Sequence, residues 1–266
     1  MDKSTFNEFR KLVYERSGIC LGEQKETLVC ARVGKRMRLL GIQSYRAYLR
    51  HVMDDESGEE VVHLLNAIST NVTSFFREPA HFEFLSKAFS QWLAEGQKRF
   101  RFWSAACSTG EEPYSLAVTL MEALGGASID IKILATDIST RALERCLEGV
   151  YHKDRLKDVP AVVRDRHFEY HRDSEGVFYS VKPSLKRMVV FKRLNLSTSP
   201  FPMHGPFDAI FCRNVMIYFD NRIRQELLAE MHRLLKPGGY LMVGHAESLA
   251  GIACSFKGVK PSIYAK

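Results

Sequence analysis

The sequence predicts an α/β fold: a mainly parallel sheet covered by helices on both faces, preceded by an α-helical N-terminal domain and interrupted by a small antiparallel β-subdomain. Three observations carry this. From residue 100 onward, short apolar runs of strand type alternate with helical patterns, the rhythm of a parallel sheet with crossover helices. Residues 1 to about 70 show helical periodicity with few β-branched alternations. Residues 150 to 188 break the alternation with a hairpin pattern. The expected boundaries are a helical domain over 1–70 and a second domain over 71–266, with 151–188 inserted in it.

In chain order, Phe6, Phe9 and Val13 recur at helical spacing behind a Thr5/Glu8 capping-box pair, and Val61, Leu64, Leu65 and Ile68 form a second apolar stripe. Pro79 suits the first turn of a helix whose one side carries Phe82, Leu85, Phe89 and Leu93. Strands are expected at FRFWSA (Phe100–Ala105), IKILAT (Ile131–Thr136), VVFKRLNL (Val189–Leu196), FDAIFC (Phe207–Cys212) and YLMVG (Tyr240–Gly244). Between them lie helices over Pro113–Leu124 and Arg222–Leu235, the latter stopped by Pro237-Gly238-Gly239. His167–Tyr170 and Val177–Val181 flank Asp173-Ser174-Glu175-Gly176 as a hairpin.

With 266 residues and 45% hydrophobic content, the chain is long enough for a main domain with a smaller one attached. No run of about 18 apolar residues could span a bilayer, and Asp2 and Glu8 stand where a signal peptide needs an apolar core, so a cytoplasmic protein is expected. The six cysteines show no C-x-x-C pair or metal-ligand spacing and read as free, mostly buried thiols; the histidines suggest no compact cluster, and no metal site is expected. Lys and Arg outnumber Asp and Glu by 38 to 31. Arg32, Lys35, Arg36, Arg38, Arg46 and Arg50 fall in a stretch without a single acid, the pattern of a cationic face.

In an open α/β sheet, ligands bind beyond the carboxyl ends of the strands. The stretch FWSAACSTGEEPYSL lies at such an end. Ala105, Ala106 and Gly110 let a ligand approach the backbone, but the segment has one glycine where a dinucleotide fingerprint needs three, and Glu111 and Glu112 would repel a pyrophosphate. The acids point to a cationic or hydroxyl-bearing ligand. S-adenosylmethionine (AdoMet) fits, with an ammonium, a sulfonium and a ribose diol and no phosphate. Asp137 ends the second strand, 27 residues after Gly110, where ribose-binding acids commonly sit; a helix N-cap for Ile138 onward is the compatible structural role.

NVTSFFREP (Asn71–Pro79), WSAACSTGEEPYSLA (Trp103–Ala117), ATDIS (Ala135–Ser139), FDAIFCRNVMIYFD (Phe207–Asp220), LKPGG (Leu235–Gly239) and GHAESL (Gly244–Leu249) together resemble the chemotaxis-receptor methyltransferase family, CheR. Order and spacing agree from about residue 5 to 265. LKPGG is generic to methyltransferases, whereas NVTSFFRE and FCRNVMIYF are specific. The resemblance implies an AdoMet-dependent protein-glutamate O-methyltransferase that esterifies receptor side chains and releases S-adenosylhomocysteine, with a Rossmann-like class I methyltransferase domain. Carried over by motif, the cofactor contacts are Asn71, Thr73, Arg77, Glu111, Asp137, Asn195, Leu196, Arg213 and Asn214. Arg77 and Tyr218 resemble the residues placed near the transferable methyl. Glu112 is assigned to structure, as a charge in the first helical turn.

The chemistry needs no general base, because a glutamate with a pKa near 4.3 is ionised at neutral pH. Orientation remains: Arg77 can hold a carboxylate through its planar fork and Tyr218 can donate one hydrogen bond. Cys107 and Cys212 read as packing, and His245 as a loop-orienting residue. For partners, the basic N-terminal helices are expected to meet acidic receptor helices, Arg32, Lys35, Arg36, Arg38 and Arg46 included. The β-subdomain, with 11 Lys or Arg against 6 Asp or Glu over residues 151–193, is compatible with docking a receptor's C-terminal peptide. A monomer is expected. Two other readings stay open: a nucleic-acid methyltransferase, for which an N-P-P-Y or D-P-P-Y motif is missing, and a noncatalytic AdoMet- or S-adenosylhomocysteine-binding signalling module.

Overall fold

The computed structural model describes every residue except Thr70, Ala127 and Ser128. The expected domain boundary at 70 falls on Thr70, outside the described residues.

Four helices form the N-terminal part: α1 (Lys3–Ser17), α2 (Glu26–Leu40), α3 (Tyr45–Asp54) and α4 (Glu59–Ile68). Their apolar stripes converge on Phe6, Phe9, Val29, Val33, Leu49, Leu64 and Leu65, all nearly inaccessible to solvent. The cap of α1 is not the Thr5/Glu8 box. Asp2 is the N-cap, accepting from the Thr5 amide at 2.9 Å and its hydroxyl at 2.6 Å, so the helix begins three residues earlier than the box requires.

The remainder runs α5 (Ala80–Ala94), β1 (Arg99–Ala105), α6 (Glu111–Leu124), β2 (Asp130–Asp137), α7 (Thr140–Glu148), β3 (Val150–His152), α8 (Ala161–His167), β4 (Phe168–Asp173), β5 (Gly176–Val181), α9 (Pro183–Lys186), β6 (Val189–Arg193), β7 (Phe207–Cys212), α10 (Asn221–Leu234), β8 (Leu235–Val243), β9 (Lys257–Lys260) and β10 (Ile263–Ala265). The main sheet has seven strands in the order β6-β2-β1-β7-β8-β10-β9. The first five pair in parallel, and the last two add antiparallel. Strand alternation divides the core: Phe100, Phe102, Ala209 and Phe211 pack on one face, and Trp103, Ala105, Ile210 and Cys212 on the other. A separate antiparallel sheet, β3-β5-β4, carries the expected hairpin plus a third strand.

The order of the main sheet reverses at β1, whose neighbours are β2 on one side and β7 on the other. The connections from β1 and β7 therefore leave in opposite directions and open a crevice at their carboxyl ends.

Candidate active site

A cavity of about 220 Å³ occupies that crevice. Four of the parallel strand ends contribute: Ala106, Cys107 and Ser108 after β1, Asp137 and Ile138 at the end of β2, Leu194, Asn195 and Leu196 after β6, and Arg213, Asn214 and Val215 after β7. Asn71, Val72, Thr73 and Arg77 come from the segment before α5. Ser17 at the end of α1 and Ile19, Cys20 and Leu21 in the segment after it close the cavity, and the Cys20 amide donates to the Tyr218 carbonyl at 2.8 Å. Tyr218, half-buried in a single turn over Met216–Tyr218, joins the lining. Of the residues expected from sequence, the fold thus brings together Asn71, Thr73, Arg77, Asp137, Asn195, Leu196, Arg213, Asn214 and Tyr218. Glu111 stands outside the lining.

The loop after β1 turns sharply. Ala106, Ser108 and Gly110 all have positive φ, and Gly110, at +99°, is the N-cap of α6. A Cβ on Gly110 would lie 2.5 Å from the Tyr151 hydroxyl and 3.3 Å from the Cys146 Cα. Gly110→Ala is therefore expected to destabilise the fold by roughly 2 kcal/mol, combining left-handed strain with a clash against fixed neighbours. A thermal melt reads the effect; an unchanged Tm would contradict it.

Asp137 is 8% exposed, and both its oxygens accept backbone amides, Oδ2 from Ser108 at 2.8 Å and Oδ1 from Ser139 at 2.9 Å. It is not the cap of α7; Ser139 is, accepting from the Ala142 amide. Burial pushes the Asp137 carboxyl up to about 6, against the opposing pull of these amides. The acid so placed ties the β1 and β2 loops together at the mouth of the crevice.

The paired glutamates separate into two environments. Glu112 lines the cavity but is spent: it accepts from Ser104 Oγ at 2.7 Å and from Arg213 Nη1 at 3.0 Å. Burial pushes its carboxyl up in spite of Arg213. Glu111 is fully buried; its Oε2 accepts from Thr109 Oγ1 at 2.6 Å, while Oε1 has no hydrogen-bond donor and lies 3.6 Å from Arg155 Nη2. Arg155 belongs to the segment following β3, and no motif pointed to it.

Arg213, expected as a cofactor contact, directs its guanidinium away from that task. It is 5% exposed and reaches Glu78 Oε2 through Nη2 at 3.0 Å and Glu112 through Nη1, while Nη2 also donates to the Arg77 carbonyl. Asn195 is likewise engaged locally: its Nδ2 donates to the Arg16 carbonyl at 3.0 Å and its Oδ1 accepts from Ser197. Asn214, at φ 58°, is held by Glu247, which accepts the Asn214, Gly244 and Ile217 amides. Glu247, inside GHAESL, is the loop organiser that sequence reading had assigned to His245.

Glu78, His81 and His245 place three ligand-type atoms within 4.8 Å of one another, a compact histidine cluster that the sequence reading did not expect. Glu78 and His245 stand 167 residues apart, so only the fold joins them. His81 is fully buried with neither ring nitrogen hydrogen-bonded, and burial, then Arg213, lower its pKa to about 4. Glu78 is held below the usual carboxylate range: burial opposes this, but Arg213 and the His245 amide outweigh it. The Arg213 guanidinium already occupies the Glu78 oxygen that faces His81, where a metal cation would meet like charge.

The family models match nearly the whole chain. Residues 4–69 match the CheR methyltransferase all-alpha domain, and residues 71–265 the CheR methyltransferase SAM binding domain. The chain belongs to the CheR methyltransferase family. Similar proteins include chemotaxis protein methyltransferase 2 of Pseudomonas aeruginosa, 39% identical over 98% of this chain and 92% of that protein. The chemotaxis protein methyltransferase of Escherichia coli is 38% identical over 98% and 90%, and that of Borreliella burgdorferi 36% over 99% and 94%. This CheR-family chain therefore has a Rossmann-like class I methyltransferase fold and takes AdoMet as cofactor.

The crevice fits that cofactor. Ser108 Oγ, lining the cavity, is a buried polar atom without a hydrogen-bond partner, and Asp137 is a buried carboxylate at the rim. A cluster of acids and unspent acceptors suits an ammonium and a ribose diol and would reject a phosphate. Cys107, Cys146 and Cys212 are buried and free, Cys30 is half-buried, and Cys20 and Cys254 are exposed, so only three of the six meet the expectation of burial. Among the described residues, no helix is long and apolar enough to cross a membrane.

Proposed function

We propose that this protein transfers the AdoMet methyl group to side-chain carboxylates of glutamates in chemoreceptors, forming methyl esters and S-adenosylhomocysteine. The observation that carries the reading is the convergence of Arg77 and Tyr218 on the cavity that Asp137 borders, within a chain matched end to end by chemotaxis methyltransferases. Bound AdoMet supplies a methyl group activated by the adjoining sulfonium. Asp137 would accept the ribose hydroxyls, Ser108 would face polar groups of the cofactor, and Leu196 with Ile138 would supply apolar walls, while Glu111 stays buried outside the lining with its Oε1 3.6 Å from Arg155 Nη2. Arg77 holds the incoming carboxylate and Tyr218 donates to it. An ionised glutamate needs no proton removed, which agrees with His81 being fully buried and absent from the cavity lining.

Chemoreceptor recognition falls to a smaller basic set than the sequence suggested. Arg32 Nη1 donates to the Ile68 and Ser69 carbonyls at 2.7 and 2.9 Å, and Arg36 forms a two-pronged pair with Glu60, which Tyr48 completes. Both arginines serve the helical fold. Lys35, Arg38, Arg46 and Arg50 are exposed and remain the docking charges. In the small sheet, β4 is an edge strand and offers a place for an added peptide strand. We read the helical part as the receptor-docking unit of a cytoplasmic monomer.

The test is transfer of labelled methyl from AdoMet to membranes containing the cognate receptors, followed by mild base. Label released as methanol from a receptor-sized band supports a carboxyl ester. Base-stable label would point to another acceptor, and retained AdoMet binding without transfer to a noncatalytic module. S-adenosylhomocysteine is expected to inhibit competitively with AdoMet, since only the methyl is missing; noncompetitive behaviour in initial-rate measurements would count against a shared site.

A further inference from the structure

We propose that Glu78 is a positioning residue for Arg77, acting through the Arg213 guanidinium. This rests on the reading that Arg77 handles the acceptor carboxylate.

The turn that presents Arg77 is strained and poorly held by its own backbone. Phe76 and Glu78, the two residues flanking Arg77, have φ of 52° and 59°, the left-handed region that β-carbon-bearing residues avoid. Within the turn, the Arg77 amide reaches the Ser74 carbonyl only at 3.4 Å. What fixes the turn comes from other elements. Ser115 Oγ on α6 accepts the Phe76 amide at 2.9 Å, the Arg213 guanidinium after β7 donates to the Arg77 carbonyl, and the His245 amide donates to Glu78 Oε1 at 3.3 Å. The Arg77 side chain is tied less firmly, by one bond from Nη1 to the Val72 carbonyl at 2.9 Å. Its backbone is anchored and its guanidinium is free to exchange partners.

Arg213 is the hub of this anchor, and two carboxylates from different elements share it. Glu112 at the start of α6 takes Nη1, and Glu78 before α5 takes Nη2 and Nε. Only the pair of carboxylates fixes both edges of the guanidinium, and the edge facing Glu78 is the one that meets the Arg77 carbonyl. Removing the Glu78 charge leaves Arg213 neutralised by Glu112, so no uncompensated buried charge is created. It does release the Nη2 edge, and the left-handed turn loses the partner that holds it.

A displacement of about 1 Å in a substrate-orienting group can cost up to about 100-fold in rate. Glu78→Gln is accordingly expected to lower kcat by roughly 10-fold with AdoMet affinity kept within about 2-fold, because its action is on orientation and not on the cofactor. The decisive measurement is a double-mutant cycle of Glu78→Gln with Arg77→Ala, reading kcat on receptor membranes and AdoMet binding by calorimetry. If Glu78 acts through Arg77, it has no further effect once the Arg77 side chain is gone. Additive losses, or an unchanged kcat in Glu78→Gln alone, overturn the proposal while leaving the role of Arg77 intact. A harmless Arg77→Ala would sink the reading of Arg77 first, and the proposal with it. Should Glu78→Gln fail to fold, Arg213→Lys, which keeps the charge and loses the fork, runs the same cycle with the same expected outcomes.

Discussion

Arg77→Ala should lower kcat for receptor methylation by roughly 100-fold while changing AdoMet affinity only a few-fold. A charge-assisted hydrogen bond contributes about 1.5–3 kcal/mol, and each 1.36 kcal/mol is tenfold in rate, so losing the guanidinium removes about one to two powers of ten before any loss of alignment. The fold should tolerate the change. Arg77 is half-buried, and its side chain donates to the exposed Val72 carbonyl, which water can satisfy. The anchoring bond from Arg213 goes to the Arg77 backbone and survives the substitution. Arg77→Lys should recover only part of the rate, since an ammonium keeps the charge without the planar fork. The split between kcat and cofactor affinity decides the role: a large loss of AdoMet binding would make Arg77 a cofactor ligand instead of an acceptor clamp.

Much of this arrangement was legible in the sequence, for definite reasons. Strands buried on both faces read as apolar runs, and Phe207–Cys212 matches its strand residue for residue. Lys257–Lys260 escaped because it is an edge strand with every residue exposed, and so carries no apolar pattern. Val150–His152 is too short to show alternation. The site motifs marked strand ends correctly, yet could not say which way each side chain turns. Arg213 follows a strand in a motif that suggests ligand contact, and the acids that claim it lie 101 and 135 residues away. Arg32 and Arg36 were more accessible to reasoning. Each directly precedes a buried stripe residue, Val33 and Met37, so both flank the packed face of α2 and were poor choices for a free cationic surface.

AdoMet affinity should fall as the pH drops through about 6, and Asp137→Asn should both weaken binding and flatten that dependence. Asp137 has its carboxyl raised from 3.8 to about 6, chiefly by burial. For the folded protein the sign is definite: this group contributes stability that is present below pH 3.8 and is lost as pH rises through about 6, where the buried acid must ionise. Binding runs the other way. An ionised carboxylate accepts from a ribose diol more strongly than a neutral acid, so affinity is full above pH 6 and declines by up to about tenfold per unit below it. Glu112, whose carboxyl burial also pushes up, lines the same cavity, and comparing Asp137→Asn with the wild type separates the two acids. His81, at about 4, stays neutral above pH 5, and the cofactor's α-amino group, of a type that titrates near 8, is charged at pH 6 and begins to lose its proton only towards pH 8. At pH 7.5, Asp137→Asn should raise the AdoMet Kd by roughly 10- to 100-fold, since a charged acceptor is lost and an amide N–H is set against a backbone donor, either Ser108 or Ser139. Calorimetric titration between pH 5 and 8 on both proteins measures this. A wild-type Kd that is flat with pH would mean that Asp137 does not face the ribose. A variant that loses affinity yet keeps the full pH dependence would move the titrating group elsewhere in the crevice.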